Sequence, residues 1–333
     1  MTSAKFVRSL FTLLAMSASG AALDEQQSVL SVDGKRFLLD GQPIDLWGIR
    51  VGSATMNDPI CQHLIDHLDD YRRHGVNAVT VFYMGCSGGY HDPFTPDGRG
   101  IDADHQRRME RILHECAQRQ MVVIVGIFYQ RVELGLEDQQ AMRRAVRTVT
   151  ERLARHRNAI INIANEQNSR RYQNLAQTLN DPRTIIDLCR VVHEADAKRL
   201  VGGGGYDHAK NEVIGRSEHV DVLLFDTNGP KPGSADLYRR FRIAGVQDKP
   251  IVNVETFGGW TAEFLPGVFS AELRAVYRAE VDAAIAEPGL SVFFHNNPWL
   301  QDAPMRYDLG GEGTADAPGI RWYFEYVRSQ RSR

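Results

Sequence analysis

Two glutamates in this chain end apolar runs in the same manner. Ile161-Asn162-Ile163-Ala164-Asn165 leads into Glu166, and Ile251-Val252-Asn253-Val254 leads into Glu255. A short apolar run that stops at a carboxylate reads as a buried strand delivering an acid to one edge of a sheet. Two carboxyls that face each other can do both jobs needed to cleave a glycosidic bond. One stays protonated and donates to the leaving oxygen, while the other, ionised, attacks the anomeric carbon. Like charges held close raise one of the two pKa values, so a single residue type supplies acid and nucleophile. At a separation of about 5–5.5 Å the outcome is retention through a covalent glycosyl-enzyme. Taken singly, a glutamate at a strand end is as readily a helix cap or a solvated loop residue. The question is whether the fold brings these two together.

The elements that would do so alternate along the chain. Val29 to Pro43 carries a β-hairpin signature, with strands split at Asp33-Gly34 and a further Asp-Gly turn at Asp40-Gly41. Eight β-rich runs follow, near 44–51, 76–83, 121–128, 159–164, 200–202, 220–225, 250–254 and 290–294. Amphipathic helices fill the gaps. Met142, Ala145, Val146, Val149 and Leu153 form one apolar stripe. Leu273, Val276, Tyr277, Val281, Ala284 and Ile285 form another, which stops at Pro288-Gly289. Strict strand–helix alternation at this length predicts an α/β protein, a (β/α)₈ TIM barrel with an N-terminal β-hairpin. A doubly wound sheet would show fewer strands and a Gly-rich fingerprint after the first, which is absent. In a barrel the active site lies at the C-terminal ends of the strands. Glu166 would end the fourth strand and Glu255 the seventh, across the barrel mouth from each other.

Composition narrows the rest. A net charge of −3 gives no electrostatic reason to expect nucleic acid or an anionic membrane as partner. Lys5 and Arg8, the apolar run Leu10 to Met16 and the small residues Ser17 to Ala22 have the layout of a cleavable signal over 1–22. The run is short of the roughly 20 residues a spanning helix needs. The expectation is a secreted or periplasmic protein, free of the membrane after cleavage and monomeric, with 23–333 as a single barrel domain. Four cysteines, Cys61, Cys86, Cys116 and Cys189, show no metal-ligand spacing. Cys61 and Cys86 fall after the first and second strands and could pair in an oxidising compartment, whereas Cys116 and Cys189 read as core thiols. Gly202 to Gly205 would suit a phosphate cradle only after strands seven or eight, so close backbone approach is the better account. Asp302, Asp308, Glu312 and Asp316 fit a solvated acidic loop better than a calcium site, since their spacing matches no EF-hand. No cofactor or metal is expected.

Asn165-Glu166 ending strand four, a lone Glu255 ending strand seven and a leading hairpin closing on Asp40-Gly41-Gln42-Pro43 resemble clan A retaining glycoside hydrolases, with the cellulase-like family five nearest. The resemblance runs from about Val29 to Trp299. It implies hydrolysis of a β-linked oligo- or polysaccharide with net retention, Glu166 as acid/base and Glu255 as nucleophile. It further implies that Asn165 hydrogen-bonds the 2-hydroxyl of the sugar under attack, and that Trp299 floors the central subsite. The chain departs from the family where the nucleophile's usual partners stand. Thr80 occupies the place of an arginine late in strand two, Phe225-Asp226-Thr227-Asn228 replaces a His-x-Tyr after strand six, and Gln167 replaces a proline after Asn-Glu. The pair is thus a better guide to mechanism than to substrate.

Further candidate substrate contacts sit at other strand ends. Tyr83, Tyr90, Tyr129, Tyr206 and Trp260 offer aromatic faces on which sugar rings can stack, or pack against one another. His208, His295 and Asp226 would touch substrate hydroxyls, hold Glu255, or serve structure alone. Two other functions use the same cleft: a non-catalytic carbohydrate-binding barrel, and a transglycosylase working through the same carboxylates. A metal-dependent barrel hydrolase or lyase would need convergent His and Asp ligands, for which no suitable spacing is present.

Overall fold

The computed structural model describes residues 28–86, 89–130, 134–258 and 265–331. The expected signal at 1–22 and Trp260 lie outside the described residues.

The chain opens with β1 (Leu30–Asp33), β2 (Arg36–Leu39) and β3 (Gln42–Ile44), an antiparallel sheet in that order. Its turns fall at the two Asp-Gly pairs, where Gly34 and Gly41 take φ of 56° and 77°. The expected hairpin is present as β1–β2 and is extended by one strand. The second turn leads into a third strand, in which Ile44 pairs with Phe37, so the first barrel strand begins three residues later than Ile44. Pro43 is tolerated because β3 is an edge strand.

Eight parallel strands then close on themselves: β4 (Trp47–Arg50), β5 (Ala78–Phe82), β6 (Val122–Phe128), β7 (Ala159–Ala164), β8 (Leu200–Gly203), β9 (Val222–Asp226), β10 (Ile251–Thr256) and β11 (Leu290–Phe294). This is the (β/α)₈ barrel. The helices outside it are α1 (Asp58–Arg73), α2 (Ala103–Gln118), α3 (Gln139–Arg152), α4 (Pro182–Ala195), α5 (His208–Gly215), α6 (Ser234–Ile243), α7 (Ala271–Ile285), the short α8 (Asn297–Leu300) and α9 (Arg321–Arg331). Several start on a side-chain cap, as where Asp102 accepts from His105 N, Asp138 from Ala141 N and Ser270 from Leu273 N. The α3 stripe is buried throughout, whereas Ile285 at the end of α7 is 39% exposed.

Two apolar layers result. Inside the barrel, Ala78, Val122, Ile124, Ile160, Val222, Leu224, Val252, Val254 and Phe293 form one cluster with Leu30, Phe37 and Leu39 of the small sheet. That sheet therefore plugs the N-terminal end of the barrel. It is tied there by Leu30 N donating to Arg157 O and Ser28 Oγ to Ala117 O, both ahead of a barrel strand. The larger cluster lies between strands and helices. Cys61 and Cys86 belong to it, are buried, and are not joined by a disulfide: Cys86 Sγ lies 3.0 Å from Ser53 Oγ and Cys61 Sγ faces Arg108 O at 3.8 Å. Among the described residues no helix is long and apolar enough to cross a membrane.

With its lower half filled from within, the barrel can present function only at the opposite rim. Gly48 shows how tight that filling is, since a Cβ there would collide with the Phe293 ring. Gly48→Ala is therefore expected to destabilise the protein by about 1–3 kcal/mol through overpacking. A lowered urea midpoint with an unchanged m-value is the result to look for.

Candidate active site

Glu166 follows directly on Asn165 at the end of β7, in a backbone turn with φ of 42°. A non-glycine residue held in the left-handed region costs on the order of 1–3 kcal/mol and persists only where its surroundings enforce it. Here Asn165 N donates to Phe128 O, Gln167 N to Gly204 O and Ser169 N to Glu166 O, at 2.9, 3.1 and 2.7 Å. The Gly202–Gly205 run lies against this turn. A Cβ on Gly205 would collide with Asn168 Oδ1, and one on Gly204 with Leu224 O. Close approach, and not a phosphate cradle, accounts for the glycines.

Glu255 sits in β10 where the register shifts on both sides, between Asn253 and Glu255 against β9 and between Asn253 and Thr256 against β11. Phe257 next to it takes φ of 60°. Gly258 leaves space for the carboxyl group, because a Cβ there would collide with Glu255 Oε1.

The two acids are joined through a buried cation. Arg50, fully buried at the end of β4, places Nη1 2.8 Å from Glu255 Oε2 and donates from the same nitrogen to Asn165 Oδ1 at 2.9 Å. Asn165 Nδ2 donates to Gln130 Oε1, and Gln130 Nε2 donates to Glu166 Oε2. An unbroken line of polar contacts thus runs Glu255–Arg50–Asn165–Gln130–Glu166. Arg50 also stacks on Phe82, 4.9 Å from its ring centre, and reaches Gln301 Oε1 at 3.4 Å. Burial is the largest single influence on the Arg50 pKa and pulls it down, but the surrounding groups together, Glu255 foremost, more than offset it and raise it.

Arg50 is the lateral partner of Thr80 in the β4–β5 ladder. The arginine expected late in strand two thus comes from strand one at the same level. Neither Arg50, Gln130 nor Gln301 was singled out from sequence. Yet Arg50 ends the apolar run Leu46-Trp47-Gly48-Ile49 as the glutamates end theirs, and Gln130 follows Phe128-Tyr129 likewise.

The acids differ in surroundings. Burial, then the charge of Glu255, pushes the Glu166 pKa up to about 8, against opposing pulls from Arg50 and Arg171. Asp226, at the end of β9 and opposite Glu255 in the ladder, is 1% exposed, and its Oδ1 has no hydrogen-bond partner among the described residues. Burial, then Glu255 and Glu166, raises its pKa well above the ordinary carboxylate range. Three carboxyls thus crowd one buried guanidinium, and the arrangement is consistent with two of them holding protons. His295 lies behind Glu255, its Nε2 3.4 Å from Oε1, fully buried and bonded to Gln301. Burial lowers its pKa to about 4, so it is neutral at pH 7.

A cavity of about 320 Å³ opens above the pair, lined by Tyr129, Gln130, Glu166, Tyr206, Glu255 and Gln301 among others. Tyr206 therefore lies where a substrate contact was expected. Asn165, Asp226 and His295 sit beneath the cleft wall, buried behind the carboxyls. Trp299 requires a correction. It is 2% exposed, donates from Nε1 to Asp308 O at 2.9 Å, and has the Arg306 guanidinium on its face. Asn296 caps α8 and receives the Trp299 amide, which turns the ring under the loop; Asn297 and Gln301 reach the cleft from this segment instead. Tyr83 is buried too, bonded to Gln106, and His208 packs on Phe241. Among the described residues no three His, Cys, Asp or Glu side chains converge as a metal site.

No family model and no curated protein sequence matches the chain. Solved structures do. A glycoside hydrolase family 5 structure from Bacteroides vulgatus superposes with a TM-score of 0.59 at 16% identity, over 83% of this chain and 63% of its own. A β-1,4-D-mannanase from Cryptopygus antarcticus gives 0.59 at 14%, over 90% and 94%. A β-glucanase from Saccharophagus degradans, in complex with cellotetraose, gives 0.60 at 13%, over 92% and 94%. The fold is theirs. The chain spans less than two thirds of the Bacteroides structure's length, 63%.

The raised pKa of Asp226 has a measurable consequence. Its folded pKa lies above the unfolded value of about 3.9, so the folded state binds an extra proton between those two values and loses stability as pH rises through them. Asp226→Asn keeps the shape and removes this cost. Its stability relative to the parent should climb by up to about 1.4 kcal/mol per pH unit above pH 4, as read by urea denaturation at pH 4, 6 and 8. A difference independent of pH would place an ionised carboxylate at this position.

Proposed function

We propose that the protein hydrolyses β-linked oligo- or polysaccharides with net retention, Glu255 acting as nucleophile and Glu166 as acid/base. The observation that carries this reading is the unequal treatment of two carboxyls in one cleft. Glu255 is paired with the buried Arg50, while burial and the charge of Glu255 favour a proton on Glu166. That is the division of labour a double displacement requires.

In the first step a Glu255 oxygen attacks the anomeric carbon, and the glycosidic bond breaks as Glu166 gives its proton to the leaving oxygen. In the second, Glu166, now ionised, takes a proton from water, whose oxygen displaces Glu255 from the same carbon. Arg50 holds the attacking carboxylate in place, and Gln130 orients Glu166 through the same line of contacts that reaches Asn165. Tyr206 and Tyr129 give the cleft aromatic surface for sugar rings. The likeness to solved mannanase and glucanase structures supports the same reading. The signal-like segment at 1–22 fits action outside the cytoplasm.

Glu166→Gln should lower turnover of aryl β-glycosides by about 10²–10⁴-fold, the usual worth of a general acid, and more for substrates with poor leaving groups. Glu255→Gln should abolish it. A 2-deoxy-2-fluoro glycoside with a good leaving group should add one glycosyl mass to the peptide containing Glu255. Retention of full activity in either variant defeats the assignment. In the parent protein kcat/KM should fall as pH rises through about 8, because the reactive form of Glu166 carries the proton. A profile flat to pH 10 would mean that another group is the acid.

A further inference from the structure

Four and five positions beyond Glu166 the chain carries Arg170 and Arg171. Arg171 lines the same 320 Å³ cavity as the two glutamates. Arg170 lines a second cavity of about 530 Å³, and Tyr206 belongs to both. Both arginines are exposed, and neither takes part in an ion pair among the described residues. Several other surface arginines are paired: Arg119 with Asp69 and Glu115, Arg190 with Asp187 and Glu194, Arg107 with Asp58 and Asp104. Arg240, also on the second cavity, is taken up by Glu212 at 2.7 Å. The nearest acid on that wall, Asp207, is occupied as the cap of α5, accepting from Lys210 N.

The segment bearing Arg170 and Arg171 is fastened. Tyr172, buried beside them, donates from Oη to Asn165 O at 2.7 Å. Asn168 Oδ1 accepts from Tyr206 N and Asp207 N at 3.0 and 3.1 Å, and Arg171 N donates to Ser169 Oγ at 3.3 Å. The backbone that carries the two side chains is thereby held beside Glu166.

We infer that the substrate is an anionic β-glycan, carrying a uronate carboxylate or a sulfate ester on a ring bound beside Glu166, with Arg171 and Arg170 as its counter-ions. This rests on the glycosidase reading and adds the substrate class. A guanidinium offers the planar pair of N–H donors that a carboxylate or sulfate accepts in parallel. The position of Arg171 otherwise works against catalysis, because its charge opposes the protonation of Glu166. An anionic ring docked on Arg171 cancels that opposition in the bound complex, so the cation hinders the acid only while the cleft is empty.

The test uses binding, so that it does not depend on turnover. Glu255→Gln protein is titrated calorimetrically with β-1,4-glucan and β-1,4-mannan tetrasaccharides, each in neutral, C6-oxidised uronate and 6-O-sulfated form. The expected result is binding of an anionic member about 10-fold or more tighter than its neutral parent, weakening with salt, and loss of that preference when Arg170→Gln and Arg171→Gln are added. The uronate and sulfate arms decide which anion is preferred. Neutral members binding as well as anionic ones, no binding by any anionic member, or a preference that survives both arginine substitutions overturns the inference. An anionic preference that needs both arginines, without cleavage of any member by the parent protein, keeps Arg170 and Arg171 as counter-ions of a bound anionic glycan and removes the hydrolase reading that makes this glycan a substrate.

Discussion

Everything at the open rim of this barrel is arranged around one buried guanidinium. Moving a cation out of water costs several kcal/mol unless partners replace the lost hydration. Arg50 receives them from Glu255, Asn165 and Gln301, together with the Phe82 face. The same contacts set the positions of the acids. Glu255 is drawn to the guanidinium, and Asn165, held by it, hands the constraint through Gln130 to Glu166. One positive charge cannot balance three carboxylates in a site this dry. Glu166 and Asp226 accordingly have raised pKa values, and the site sorts three similar groups into different states by distance and burial alone.

The backbone around these groups is unusual where it has to be. Glu166 and Phe257 both adopt left-handed conformations, and the ladder slips at Glu255. Gly205 and Gly258 stand where a side chain would strike the segments that carry Glu166 and Glu255. These irregularities lie at the C-terminal rim.

Much of this was legible in the chain. Period and punctuation were enough for the barrel, because its strands are buried on both faces and read as continuous apolar runs, and the α3 stripe is buried as its spacing implied. Glu166 and Glu255 stood out as a pair, because both end such runs at strands that face each other across the barrel mouth. Arg50 carried the same signal, but attention to strand two, where Thr80 stands, hid a cation supplied from the neighbouring strand. Lateral register is a property of pairing between strands and leaves no trace in either one. Trp299 failed for a related reason: its type and order fit a cleft floor, but the cap at Asn296 turns the ring inward. The third strand at Gln42–Ile44 was masked by a proline that only an edge position can accommodate.

The small sheet at the base has a consequence for the order of events at the rim. Leu30, Phe37 and Leu39 close the N-terminal end together with the residues that fill the barrel. Traffic through the site is thereby one-sided. In a double displacement, water for the second half must enter by the doorway through which the departing alcohol leaves, and it must come to rest where that alcohol was. The two halves cannot overlap in time. Under the proposed double displacement, whatever occupies that doorway when the first fragment departs, water or another sugar, would set the product, and the lifetime of a covalent intermediate would depend on traffic through the open end.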